Sequence, residues 1–185
     1  MILPIVGYGH PMLKKVAEPI SKDYEGLDTL IKDMYETVKK TDGCGLAAPQ
    51  VNQSIRLFII DTEGIKQVPS VTRKTFINPQ ILDTFGEDKR YKEGCLSLPG
   101  IGEEIVRPDG IHIKYLDENF EEHTEEYTGI MSRIIQHEYD HLEGHTYIDR
   151  ISPIRKTLLQ SKLRNIMEGR CEVGYNMIFM KKKRK

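Results

Sequence analysis

The chain has 185 residues, 38% hydrophobic and 30% charged, with a net charge of −1. That length suits one domain with a sizeable core, and the near-neutral balance excludes a protein drawn to polyanions by bulk charge. Three cysteines, Cys44, Cys95 and Cys171, with no Cys-x-x-Cys pair, exclude a disulfide framework and a zinc ribbon.

The start, Met1 to Pro4, lacks the basic and then apolar pattern of a secretory signal, and no apolar run reaches membrane-spanning length. The expectation is a soluble cytoplasmic protein with no membrane or DNA partner. Residues 1–22 are broken by Pro4, Gly7, Gly9, Pro11 and Pro19 and read as irregular. Leu27, Leu30, Ile31, Met34, Tyr35 and Val38 then form the stripe of an amphipathic helix that stops near Asp42-Gly43. Gly43-Cys44-Gly45-Leu46-Ala47-Ala48-Pro49-Gln50 carries almost no side chain early on, so it reads as a tight turn or a place where another backbone approaches closely.

Arg56 to Asp61 is a short buried strand, and residues 62–74 read as a surface loop. Thr75 to Phe85 is strand-like, but Pro79 predicts an edge or a break. Glu93-Gly94-Cys95-Leu96-Ser97, followed by Pro99, reads as a loop. Ile111 to Leu116 alternates as a half-buried strand, Asp117-Glu118-Asn119 turns, and Phe120 to Tyr127 returns as a polar partner. A helix begins near Gly129, and Gly144 suits its end. A last helix over 153–167 is expected to face inward through Ile154, Leu158, Leu163 and Ile166. Residues 171–179 look extended and pack back on the body, and 181–185 are all basic. The predicted class is α+β, with antiparallel β-sheets surrounding a central helix and a C-terminal helix. The chain divides into one catalytic domain, 1–180, and a basic tail, 181–185.

The chemistry concentrates in Gln136-His137-Glu138-Tyr139-Asp140-His141. At about 100° per residue, His137 and His141 lie about 40° apart on a helix and can bind one metal ion, with Glu138 beside them. Ile130 and Ile134 share that arc, while Ser132, Gln136, Asp140 and Glu143 fall on the other side. Two such histidines also occur on ordinary helices; Glu138 and the apolar continuation favour a hydrolytic site, which needs a third ligand and an open position. Cys95 offers a thiolate for that place, although a lone cysteine is as readily a small core residue. A zinc endopeptidase built on the same motif would take a later His or Glu as its third ligand, but His145, the only later histidine, lies just beyond the helix end, too close for the longer metzincin spacing; a structural metal in an RNA-binding protein is a further alternative.

Three segments resemble peptide deformylase in order and spacing: Gly43 to Gln50, Glu93 to Ser97, and His137 to His141, matching Gly-x-Gly-x-Ala-Ala-x-Gln, Glu-Gly-Cys-x-Ser and His-Glu-x-x-His. The resemblance implies removal of the formyl group from N-formyl-methionyl nascent peptides. It implies a divalent ion on Cys95, His137 and His141, Fe²⁺ in the cell, with Zn²⁺, Ni²⁺ or Co²⁺ able to stand in. It implies Glu138 as general acid/base, and Gln50 and the Leu96 N–H as oxyanion donors. It also implies a Glu93–Arg107 ion pair and a ribosome contact through the C-terminal region, here the basic tail. The substrate is expected along Gly43, Cys44 and Gly45, with its methionine against Cys44, Tyr91 and Ile134. Gly102 departs from relatives that carry a peptide-touching arginine there, and the end after residue 168 departs as well.

Overall fold

The computed structural model describes every residue except Asp42, Gly64, Lys66, Gln67, Pro69, Ser70 and 181–185. The predicted basic tail therefore lies outside the described residues. The described residues form seven strands and three α-helices, in the order β1 (Ile5–Val6), α1 (Leu27–Lys40), β2 (Gly45–Ala47), β3 (Leu57–Asp61), β4 (Arg73–Gly94), β5 (Gly102–Leu116), β6 (Glu122–Thr128), α2 (Gly129–Leu142), α3 (Pro153–Met167) and β7 (Met177–Ile178). Strands β2 to β6 form one antiparallel sheet in sequence order. Among the described residues no helix is long and apolar enough to cross a membrane.

At β3 the sheet is covered on both faces, which is why that strand is an unbroken apolar run. Leu57 and Ile59 pack with Ile31, Met34 and Val38 of α1. Phe58 and Ile60 point the opposite way, as alternate strand residues must, and pack with Ile134, Ile135 and Leu142 of α2. Each fully buried Ile or Leu contributes about 1.5–3 kcal/mol relative to leaving it in water. The expected α+β fold around the motif helix is therefore present.

Four expectations need correction. The motif helix has no solvent side at Ser132, Gln136 and Asp140, which are all buried. Gln136 donates to the Pro108 carbonyl and to Ser132, and Asp140 accepts from Arg107 and Arg150, so β5 and its neighbours take the place of water. On α3, Ile154 and Leu158 are exposed, and Leu159, Leu163 and Ile166 are buried. At about 100° per residue the first pair lies across the helix from the other three, so the expected inner face mixed two sides. Strand β4 does not end at Phe85 but runs for 22 residues and pairs with the whole of β5. Its outer half, Glu87 to Lys92, is exposed on both faces and carries no apolar pattern to betray a strand. Pro79 sits at a register shift, where β4 has left β3, so its missing N–H removes no bond from the ladder. Finally, a second sheet pairs β1 with β7, and that pair is parallel. Its strands come from opposite ends of the chain, so no tight hairpin constrains their direction.

Candidate active site

Glu93 lies near the end of β4, and the chain then turns tightly: the Leu98 N–H donates to the Cys95 carbonyl at 2.9 Å. This turn carries Cys95 to the face of α2 that presents His137 and His141. Cys95 Sγ lies 3.4 Å from His141 Nε2, and the two imidazole rings are 5.2 Å apart and nearly perpendicular. One ligand atom from each of Cys95, His137 and His141 lies within 4.8 Å of the others, a span one metal ion can bridge. His145 is not part of this cluster; it is exposed and lies 3.9 Å from Asp149.

The donors suit a borderline divalent metal: one thiolate and two imidazoles, with room for a fourth ligand. Burial alone would push the Cys95 thiol up, but His141 and His137 beside it pull it down to about 5, so the sulfur is a thiolate at neutral pH. His137 Nδ1 lies 2.9 Å from Glu93 Oε2, which leaves Nε2 for a metal, and this is how a carboxylate fixes a ligand imidazole. Glu93 is itself held by both Arg107 (2.7 and 2.9 Å) and Arg133 (2.9 Å), so the expected Glu93–Arg107 pair is present and larger than expected. Burial opposes ionisation of Glu93, yet its bonds from His137 and Arg107 hold it well below the usual carboxylate range.

Glu138 stands apart from this network. It is buried, and among the described residues neither its Oε2 nor Nδ1 of His141 has a hydrogen-bond partner. Burial is the main cause that raises Glu138, to about 7, while the two histidines act the other way. A buried carboxylate poised near neutrality, next to a cluster of metal donors, has the properties that proton transfer needs. The geometry explains Gly45 as well. A Cβ there would lie 2.5 Å from Glu138 Oε1 and 2.8 Å from its Cγ and Cδ, so any larger residue displaces the acid.

The polypeptide deformylase family model matches residues 2–157. A peptide deformylase of Flavobacterium psychrophilum is 47% identical, with 100% of both chains aligned. The crystal structure of the Thermotoga maritima peptide deformylase is 42% identical and superposes with a TM-score of 0.75, over 83% of this chain and 99% of that one. The Legionella pneumophila peptide deformylase is 33% identical, with a TM-score of 0.81 over 93% of this chain and 100% of that one. The chain belongs to the polypeptide deformylase family. Members are metal-dependent hydrolases that remove the N-formyl group from new polypeptides, and this chain is such an enzyme.

The remaining deformylase residues surround one cavity of about 590 Å³. Gln50, on a short 3₁₀ turn after β2, accepts the Ala47 N–H at 2.9 Å through its oxygen. That contact turns its amide nitrogen to Cys95 Sγ and Ser97 Oγ, each at 3.3 Å. Leu96 lines the cavity opposite Gly43. Strand β2 is the sheet's edge, pairing with β3 alone, and Gly43, Cys44 and Gly45 border the cavity. Burial pushes the Cys44 thiol up to about 12, so it is an apolar wall and not a nucleophile. Ile134 lines the same space, joined by Ile130, which sequence reasoning had left out of the pocket. Tyr91 does not line it: that ring is 41% exposed on β4, with the Arg133 guanidinium 5.1 Å from its centre. One step along a strand turns a side chain to the opposite face, and it is Lys92 that reaches the cavity. Lys92 passes over Gly102, where a Cβ would meet its Cε at 2.9 Å.

Proposed function

We propose that the cavity takes the N-formyl-methionyl end of a nascent polypeptide and that Glu138 moves the protons of its hydrolysis. The observation that carries this reading is the buried Glu138 carboxylate, its Oε2 without a hydrogen-bond partner among the described residues, beside Cys95, His137 and His141. Held by those three residues, a divalent metal would supply Lewis acidity toward water and the formyl oxygen. We propose Fe²⁺ as the ion in the cell, with Zn²⁺, Ni²⁺ or Co²⁺ able to replace it in a purified sample.

The chain's own groups do the rest. The segment Gly43 to Gly45, which leads into the edge strand β2, receives the substrate backbone as an added strand. Cys44, Ile130 and Ile134 take the methionine side chain, whose unbranched thioether fits an apolar slot. Glu138 accepts a proton from the attacking water, whose oxygen bonds to the formyl carbon. The negative charge that develops on the formyl oxygen meets the Gln50 amide and the Leu96 N–H; one such donor is worth about 10²–10³ in rate. Glu138 returns the proton to the amine nitrogen as the carbon–nitrogen bond breaks, and formate and a free amino terminus leave.

We assign residues 1–180 to one catalytic domain and place the enzyme in the cytoplasm, where its substrates are made. The basic tail, 181–185, has the charge to contact ribosomal RNA. The deciding experiment measures formate release from formyl-Met-Ala together with metal content. Cleavage of an internal peptide bond without formate release would replace this reading with an endopeptidase.

A further inference from the structure

The cavity has a wall that lies beyond the residues matched by the family model. Glu172, Val173, Gly174 and Tyr175 line it, whereas the matched segment ends at residue 157. This stretch has no regular structure of its own, and two attachments hold it. Strand β7, which follows directly, pairs with β1. The Tyr175 hydroxyl donates to the Leu96 carbonyl at 2.8 Å, and its ring packs against the α1 side of the core.

Tyr175 therefore fastens a segment from the end of the chain to the residue that follows Cys95. The loop it touches carries the thiolate and the Leu96 N–H, so the same bond that seats the wall also braces the reaction centre. Tyr175 does not reach the cluster itself; burial pushes its hydroxyl up to about 12, so it stays a neutral donor at working pH.

With the formyl group at Glu138 and methionine against Cys44 and Ile134, the rest of the peptide runs out through the cavity. The residues after methionine then pass the Glu172–Tyr175 wall.

We propose that Glu172–Tyr175 is a specificity wall: Val173 limits the bulk of the residues that follow formyl-methionine, and Tyr175 is a positioning residue for the Cys95–Ser97 loop. This rests on the deformylase reading of the cavity. The test compares Val173→Phe and Tyr175→Phe with the unaltered full-length enzyme. The substrates are formyl-Met-Ala and formyl-Met-Ala-Phe; product binding is measured by calorimetry with Met-Ala and Met-Ala-Phe.

Val173→Phe should lower kcat/KM for the longer, bulkier peptide by about tenfold through KM, and weaken Met-Ala-Phe binding in step. On formyl-Met-Ala, whose alanine is small, the loss should be smaller, so the ratio of kcat/KM between the two peptides shifts against the longer one. Tyr175→Phe should lower kcat on both peptides by about tenfold with KM and metal content unchanged, because a loosened loop misplaces the reacting groups. Equal ratios between the two peptides in Val173→Phe, with kcat retained in Tyr175→Phe, would overturn the proposal. If the unaltered enzyme binds the peptides but releases no formate, the deformylase reading fails, and the Met-Ala-Phe to Met-Ala binding ratio in Val173→Phe still decides the wall.

Discussion

Arg107→Leu tests the electrostatic frame behind the metal cluster. The Arg107 side chain is fully buried and joins Glu93 at 2.7 and 2.9 Å to Asp140 at 2.8 Å. Removing one partner of a buried ion pair costs about 3–5 kcal/mol, because a charge is left without compensation. Here each acid keeps another cation: Arg133 remains on Glu93, and Arg150 on Asp140 at 2.7 Å. The loss should therefore fall near the lower end, about 3 kcal/mol, which a domain worth about 5–15 kcal/mol survives. The pH dependence follows from the two carboxylates, which burial would raise but which His137, Arg107 and Arg150 hold low in the fold. Groups depressed on folding stabilise the native state above their unfolded values near about 4, and that contribution disappears as pH falls toward the folded values. The substitution relieves the depression, so its deficit should be full above about pH 5 and shrink toward pH 3. Urea unfolding of the metal-free protein across this range measures it. A deficit below about 1 kcal/mol, the size of a surface pair, or one that ignores pH, refutes the frame.

Further expectations concern the site itself. Cys95→Ser should lose metal and deformylation together, read by metal analysis and formate release; a serine variant that keeps both removes Cys95 from the ligand set. Glu138→Gln should keep the metal and lose activity by about 10²-fold or more, the usual worth of a general acid/base. For the unaltered enzyme, activity should fall as pH drops below about 7, because Glu138 is then protonated and cannot accept a proton from water; a flat profile from pH 8 to pH 5.5 contradicts its role as base. Gly45→Ala should retain metal but depress kcat, since the new methyl displaces Glu138. Ile134→Asp should raise KM for formyl-Met peptides, and deleting 181–185 should weaken salt-sensitive ribosome binding in a cosedimentation assay while leaving small-peptide hydrolysis unchanged.

The reaction centre was legible because its chemistry sits in short, local patterns. His137, Glu138 and His141 follow from helical spacing, and Cys95 from the resemblance and its flanking glycine and proline. Burial of the whole motif helix was less legible, since Ser132, Gln136 and Asp140 look like a wet face until Pro108, Arg107 and Arg150 arrive from elsewhere. The second half of β4 was invisible for a related reason: Glu87 to Lys92 is held by pairing with β5 and not by an apolar face. Tyr91 was misplaced because no strand was read beyond Phe85, whereas strand geometry sends Lys92 to the cavity. Arg133 gave no signal either. Its partners are Glu93 and the carbonyls of Ile105 and Lys89, all distant in sequence.

The parallel pair of β1 and β7 has a dynamic consequence. It consists of two residue pairs, Ile5 with Met177 and Val6 with Ile178. A backbone hydrogen bond nets about 0.5–1.5 kcal/mol, so so short a ladder opens at far less cost than the five-stranded sheet. Its opening frees one of the two attachments of residues 172–175, while the Tyr175 hydroxyl stays on the Leu96 carbonyl and keeps the Cys95 loop braced. Hydrogen exchange at Gly7 and Ile5, whose amides donate to Ile178 and Asn176, would time that opening against the slow amides of β3. The wall can thus loosen at its β7 end while its Tyr175 anchor, and the loop that anchor braces, stay in place.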